Sequence, residues 1–159
     1  MNYITKREYE ELEKAIIETE KKVNRAIKEK ADSGSGQDTW HDEGFKQNLV
    51  EEAMWRQKLK ELKKTRNSLI IIEPEEQDEV AEIGNGVEVE YENGETFKFI
   101  LEGLNVSGKM SNLSIYSPLG KAVWRAREED KVKVNIGHKE HEVIVKNIIF
   151  PSKAKEIFS

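Results

Sequence analysis

The sequence contains no cysteine, only three prolines, and no apolar run of membrane-spanning length. The missing cysteine excludes a disulfide framework and a thiolate metal site. With no signal-peptide pattern and no long apolar stretch, neither export nor a membrane span is expected, and the chain reads as cytoplasmic. Apolar side chains make up 36% of the 159 residues and charged ones another 36%. That is little core for one sphere, so part of the chain should form an elongated, solvated element. A net charge of -5 argues against direct nucleic-acid binding, which rests on clustered Lys and Arg.

What the sequence does have is two periodicities. From Thr5 onward, Tyr9, Leu12, Ile16, Thr19, Val23 and Ala26 recur at alternating spacings of three and four, the seam of a coiled coil. Glu and Lys four apart, as in Glu10 with Lys14 and Glu18 with Lys22, suit the solvated face. Thr5 followed by Glu8 is a capping box that starts this helix. The glycine-serine stretch "SGSGQ" interrupts the pattern, which resumes with Phe45, Leu49, Ala53, Trp55, Leu59, Leu62 and Leu69. A connection this short between two narrow apolar stripes demands an antiparallel return. The expected product is a helical hairpin with arms of roughly 40 Å at about 1.5 Å per residue.

From Ile83 the period changes to two. "VEVEY" and "TFKFIL" flank an Asn93-Gly94 turn, and "KVKVNI" and "HEVIVKNIIF" flank Gly137, which predicts two β-hairpins. Between them "SPLGKAVWRAREED" predicts a short helix with Ser117 as N-cap and Pro118 at its first position. The fold class is therefore α+β: residues 1–72 a helical hairpin with an acidic tip at 33–45, residues 73–82 a linker, and residues 83–159 a small antiparallel sheet crossed by a helix.

That order of elements, together with particular residues, resembles the bacterial Gre transcript-cleavage factors. The segment Ser117, Pro118, Gly120, Lys121, Ala122 and Val123 is similar to the family's SP-x-[AG]-[KR]-A-[LV] motif. Glu128, Glu129 and Asp130 resemble its acidic turn, and Gly137, His141, Glu142 and Val143 its closing strand. "ITKREYEELEKAI" resembles the family's T-x-x-G-Y-x-x-L start, with Glu8 where the family usually has Gly. The resemblance implies an FKBP-like C-terminal domain that docks on bacterial RNA polymerase at its secondary channel, and a coiled coil that reaches the active centre. It also implies a monomer and no enzyme in its own right, since the cleavage is the polymerase's own. Prolyl isomerase activity is not implied.

In the family, an Asp and a Glu of the tip loop hold a second Mg²⁺ beside the polymerase's own. Hydrolysis of a phosphodiester profits from two metals about 4 Å apart, one activating water and one stabilising the leaving oxygen. Mg²⁺ needs only one or two carboxylates when its other ligands are water and a partner's groups. With Phe45 set on the family's Tyr, Asp38 takes the first acidic position and His41 the second. Asp42, one residue on, supplies the missing carboxylate, with Glu43 as a third candidate. The resemblance thus implies catalytic roles for Asp38 and Asp42, and a Mg²⁺ shared with the polymerase and held by Asp38, Asp42 and Glu43 near the RNA 3′ end. The residues by themselves admit another reading: Thr39 and Asp42 form a capping box, and all three carboxylates suit a helix N-terminus.

Trp40 and His41 at the tip are expected polymerase contacts, and so are Ser117, Pro118 and Leu119 on the domain, with Ser117 also readable as a helix cap. His41 and the bulky "TWHD" equally fit a channel-binding homologue that obstructs or competes without stimulating cleavage. His138 and His141 fall three apart in an alternating strand and so on opposite faces, a poor metal pair. Gly84-Asn85-Gly86 precedes a strand rather than a helix, which removes it from the phosphate-binding loops.

Overall fold

The structure, a computed structural model, describes residues 2–33 and 43–158. Their elements run β1 (Asn2–Thr5), α1 (Lys6–Ser33), α2 (Glu43–Arg66), β2 (Leu69–Ile72), β3 (Gly86–Tyr91), β4 (Thr96–Glu102), β5 (Asn112–Ser114), α3 (Pro118–Val123), β6 (Lys131–Ile136), β7 (Lys139–Ile149) and α4 (Pro151–Phe158). They fall into two compact units, Glu10–Ser68 and a second formed by Met1–Tyr9 with Leu69–Ser159.

The helical unit is the expected hairpin. The two helices have 28 and 24 residues. Lys30 meets Glu52, Lys22 meets Trp55, Glu20 meets Lys63 and Glu13 meets Arg66, so numbers fall along one arm as they rise along the other. That is antiparallel pairing. The seam of α1 is as read: Leu12, Ile16, Thr19, Val23 and Ala26 are all buried. Buried Thr19 is satisfied because its Oγ1 donates to the Ala15 carbonyl at 2.7 Å.

The seam of α2 needs correcting. Leu49 and Ala53 were expected inside, yet Leu49 is 41% exposed and Ala53 is also outside, while Glu52 is buried. Phe45, Asn48, Glu52, Trp55, Leu59 and Leu62 are the shielded positions, and they keep the three-four alternation. The residue types hid the correct phase, because two of its members are polar.

In the other unit five strands stand in the order β5-β4-β3-β7-β6. The expectation of a wholly antiparallel sheet is corrected at one edge, where β5 runs parallel to β4. Alternation sends Val87 and Val89 from β3, Phe99 and Leu101 from β4, and Val143 and Val145 from β7 to the core. Between Glu88 and Val89 the β3–β7 register shifts, so that Val89 pairs with Val145 and Val87 with Ile148. The extra residue on β7 resets the alternation and lets Ile148 point inward as well. Leu119 and Val123 of α3 close this core. Phe99 is fully buried, a side chain whose removal from water contributes about 1.5–3 kcal/mol.

Asn93-Gly94 and Gly137 turn the chain as expected, with Gly94 at φ +85° and Gly137 at φ +64°. Three elements went unread: α4 and the parallel pair β1–β2, in which Tyr3 stands opposite Ile70 and Ile4 opposite Ile71. Among the described residues β1 and β2 pair only with each other, yet they belong to the compact unit that holds the five-stranded sheet, whereas the sequence pattern sets the hairpin at 1–72 and a linker at 73–82.

Candidate functional site

The hairpin is tied across its seam by charge. Glu52 lies in the shielded row, where Lys30 Nζ approaches its Oε2 at 2.6 Å and Arg56 Nε donates to Oε1 at 2.9 Å. The bond from Lys30 and then that from Arg56 hold the Glu52 carboxyl below its ordinary value of 4.5. Lys22 Nζ sits 4.2 Å from the centre of the Trp55 ring, a cation–π contact that turns the indole toward α1 rather than outward. Two further pairs, Lys63 with Glu20 at 2.8 Å and Arg66 with Glu13 at 3.6 Å, continue the row.

At the tip end, Asp38, Trp40, His41 and Asp42 lie outside the described residues. Glu43 opens α2, its side chain 88% exposed and paired with Lys46 at 3.2 Å. An acidic first residue suits the partial positive charge of a helix N-terminus, whatever else it does. Carboxylate oxygens are hard donors of the kind Mg²⁺ takes, and among the described residues of this end Glu43 offers one in solvent. Among the described residues no three acidic or histidine side chains gather as a metal cluster.

The C-terminal motif is in large part architecture. Ser117 Oγ donates to the Ser114 carbonyl at 2.6 Å and accepts from the Gly120 amide at 3.1 Å, capping α3 with Pro118 in the first turn. Leu119 is 7% exposed and belongs to the core, so of the three expected contacts only Pro118 stands in solvent. Beside it Tyr116 is part-exposed, and its hydroxyl accepts from the Tyr3 amide at 3.2 Å. Trp124 donates from Nε1 to Glu82 at 2.8 Å under the Arg125 guanidinium. In the acidic turn, Glu128 accepts from the Ile148 amide at 3.0 Å and Asp130 from the Arg127 amide at 2.9 Å. Glu129 adopts φ +68°, which completes the turn.

Asn85, in the Gly84-Asn85-Gly86 run, is fully buried and spends its amide on Gln77 and on the Ile149 and Gln77 carbonyls. That is a structural use. His138 is exposed, and His141 packs edge-on to Tyr91 with ring centres 6.5 Å apart.

The most heavily used polar group was legible only in part. Glu8 is fully buried, and the capping box is real: its carboxylate accepts from the Thr5 amide at 2.9 Å, while Thr5 Oγ1 accepts from the Glu8 amide at 3.2 Å. The same carboxylate also accepts from the amides of Gly103, Leu104 and Asn105 at 3.1, 2.7 and 3.0 Å. One side chain therefore fastens the start of α1 to the loop after β4. Gly103 is required there, since a Cβ would come within 1.9 Å of the Tyr3 carbonyl.

No helix among the described residues is long and apolar enough to cross a membrane. No family model matches the chain, and no curated protein does either. Among solved structures it is similar to the GreA factor homolog 1 (Gfh1) protein of Thermus thermophilus, at 24% identity over 93% of this chain and 98% of that one, TM-score 0.45. Gfh1 of Thermus aquaticus gives 24% identity over 94% and 98%, TM-score 0.45. A prokaryotic transcription elongation factor GreA/GreB from Nitrosomonas europaea gives 20% identity over 57% of this chain and 78% of that one, TM-score 0.40.

Proposed function

We propose that the chain is a Gre-like factor that enters the secondary channel of bacterial RNA polymerase, with its hairpin as the inserted element and its tip carboxylates at the polymerase's Mg²⁺. The observation that carries this reading is the two-part build: a long antiparallel hairpin with Glu43 opening its second helix and Asp38 and Asp42 in the sequence between its helices, together with a small sheet unit bearing the Ser-Pro-capped helix α3. A narrow finger with acid at its end is what a second metal ion in a confined polymerase centre calls for. Asp38 and Asp42 are its ligands, Glu43 an auxiliary one, and the bound Mg²⁺ would activate water for cleavage of backtracked RNA. Trp40 and His41 contact the channel. On the sheet unit, Ser117 and Leu119 hold the α3 turn in place so that exposed Pro118 and Tyr116 meet the polymerase. The protein acts as a monomer and has no nuclease activity alone.

The test is RNA 3′-end cleavage in a stalled, backtracked elongation complex with Mg²⁺. Wild type should shorten the transcript, and Asp38→Asn and Asp42→Asn should abolish shortening while retaining polymerase binding. His41 in place of a carboxylate favours a second reading, a channel occupant that obstructs synthesis. In that case wild type binds and slows elongation without cleavage, and Trp40→Ala rather than Asp38→Asn relieves the block. Absence of polymerase binding removes both.

A further inference from the structure

A cavity of about 310 Å³ opens in the sheet unit between the β1–α1 junction, β4 and α4. This is near the lower end of the size range of small-molecule sites, roughly 300–1,000 Å³. Ile72, Pro74, Ile100, Leu101 and Phe158 make up the apolar part of the lining. A fixed polar group shares it. Glu102, only 2% exposed, accepts at Oε1 from Asn112 Nδ2 at 2.8 Å and pairs there with Arg7, which offsets its charge, while its Oε2 is buried without a hydrogen-bond partner among the described residues.

Three more cations line the same cavity, Lys6, Lys109 and Lys155. Among the described residues none of their ammonium groups has a hydrogen-bond or ion-pair partner, and the one other carboxylate in the lining is Glu73. Three ammonium groups from separate elements, α1, the loop before β5 and α4, leave an excess of positive charge. With Glu102 already paired to Arg7 and Glu73 the one other carboxylate, these exposed lysines leave the lining net positive, which favours an anionic ligand. Lysine is a point-charge binder of phosphate, and the same cavity has apolar lining for the rest of such a ligand.

We propose that this cavity binds a small phosphomonoester, its apolar body against Ile72, Pro74 and Phe158 and its dianionic head among Lys6, Lys109 and Lys155. The site belongs to the sheet unit and does not depend on what the hairpin does.

The experiment is an amide NMR titration of the full chain with four probes: AMP for a flat body, octyl phosphate for an aliphatic one, and adenosine and inorganic phosphate as the separate halves. At least one of the two phosphomonoesters should shift the amides of Leu101, Asn112 and Phe158 with a Kd below about 1 mM. Each half should bind about tenfold more weakly or worse. All three lysines are exposed, so the triple variant Lys6→Ala, Lys109→Ala, Lys155→Ala should keep its dispersed spectrum and lose about tenfold or more in affinity, as should wild type in high salt. The proposal is overturned if neither phosphomonoester perturbs these amides, if adenosine or inorganic phosphate binds as tightly as the tighter of the two, or if the triple variant binds like wild type. Tighter binding by AMP or by octyl phosphate assigns the body as flat or aliphatic.

Discussion

Glu8→Gln exchanges one carboxylate oxygen for an amide nitrogen and should have a large effect. The Glu8 carboxylate faces only donors: the Thr5 amide and hydroxyl and the Gly103 amide at Oε2, and the Leu104 and Asn105 amides at Oε1. A glutamine keeps one acceptor and must aim an NH₂ group at the other set of N–H groups. Whichever way the amide is turned, two backbone donors lose their acceptor and confront another donor. An unsatisfied buried donor costs about 1–3 kcal/mol, more where the lost partner was charged. Gly103 is buried, whereas Leu104 and Asn105 are half-buried and regain some bonding to water. A total near 3 kcal/mol follows, roughly 12–24 °C in the melting of a unit of this size at about 4–8 °C per kcal/mol.

The assay is thermal unfolding combined with native-state hydrogen exchange. Exchange protection should fall at residues 103 to 105 and at Thr5 before it falls elsewhere, because the clasp is local. A loss of less than about 1 kcal/mol, with unchanged exchange at these amides, would refute the idea that the carboxylate is the fastener.

Gly103→Ala should also uncouple β1, since the new Cβ would sit 1.9 Å from the Tyr3 carbonyl; a destabilisation of about 2–4 kcal/mol in urea titration is expected, and a neutral result would count against the close approach. Ser117→Ala removes the acceptor for the Gly120 amide and the donor to the Ser114 carbonyl, for a loss of about 1–2 kcal/mol, with Ser117→Asp recovering the cap and therefore part of the loss. The hairpin should carry a pH dependence of its own. The Glu52 carboxyl is held below 4.5 by Lys30 and Arg56, so its contribution is fully present above pH 4.5 and disappears as pH falls through the lowered folded-state value. Helix melting followed by circular dichroism should show that acid limb, and Glu52→Gln should flatten it; an identical acid limb in the variant would assign the effect to other groups.

Legibility followed the length scale of the signal. The α1 seam, the Asn93-Gly94 and Gly137 turns and the Ser117-Pro118 helix start were readable because each is decided within a few residues. The β1–β2 pair was not, since Asn2–Thr5 and Leu69–Ile72 are too short to show a period and acquire meaning only as partners. Glu8 displays the same limit within one residue. Its bond to Thr5 is local and legible, while its bonds to residues 103 to 105 belong to the tertiary fold. The cavity was invisible for that reason too, its lysines being separated by up to 149 positions from Lys6 to Lys155. The candidate catalytic residues, by contrast, rest on the sequence, because Asp38 and Asp42 lie outside the described residues.

The misplaced phase of α2 bears on how such a hairpin is held. A reading by apolar content alone puts Leu49 and Ala53 in the seam, yet Asn48 and Glu52 occupy it, and Leu49, Val50 and Met54 stand 41%, 71% and 53% exposed. Sliding α2 round by about 100° per residue would bury those side chains but would carry Glu52 away from Lys30 and Trp55 away from Lys22. The observed phase therefore trades apolar burial in one half of the arm for a paired carboxylate and a cation–π contact, while Leu59 and Leu62 supply apolar contact in the other half. If that trade decides the phase, Glu52→Leu should leave the arm helical but let it rotate, and a single cysteine in this cysteine-free chain should detect the change: Ala53→Cys, exposed in the present phase, reacts readily with a thiol reagent when Glu52 is kept and is protected when Glu52→Leu is added. Equal reactivity with and without Glu52→Leu, in arms of equal helicity, would mean that charge does not set the phase at all.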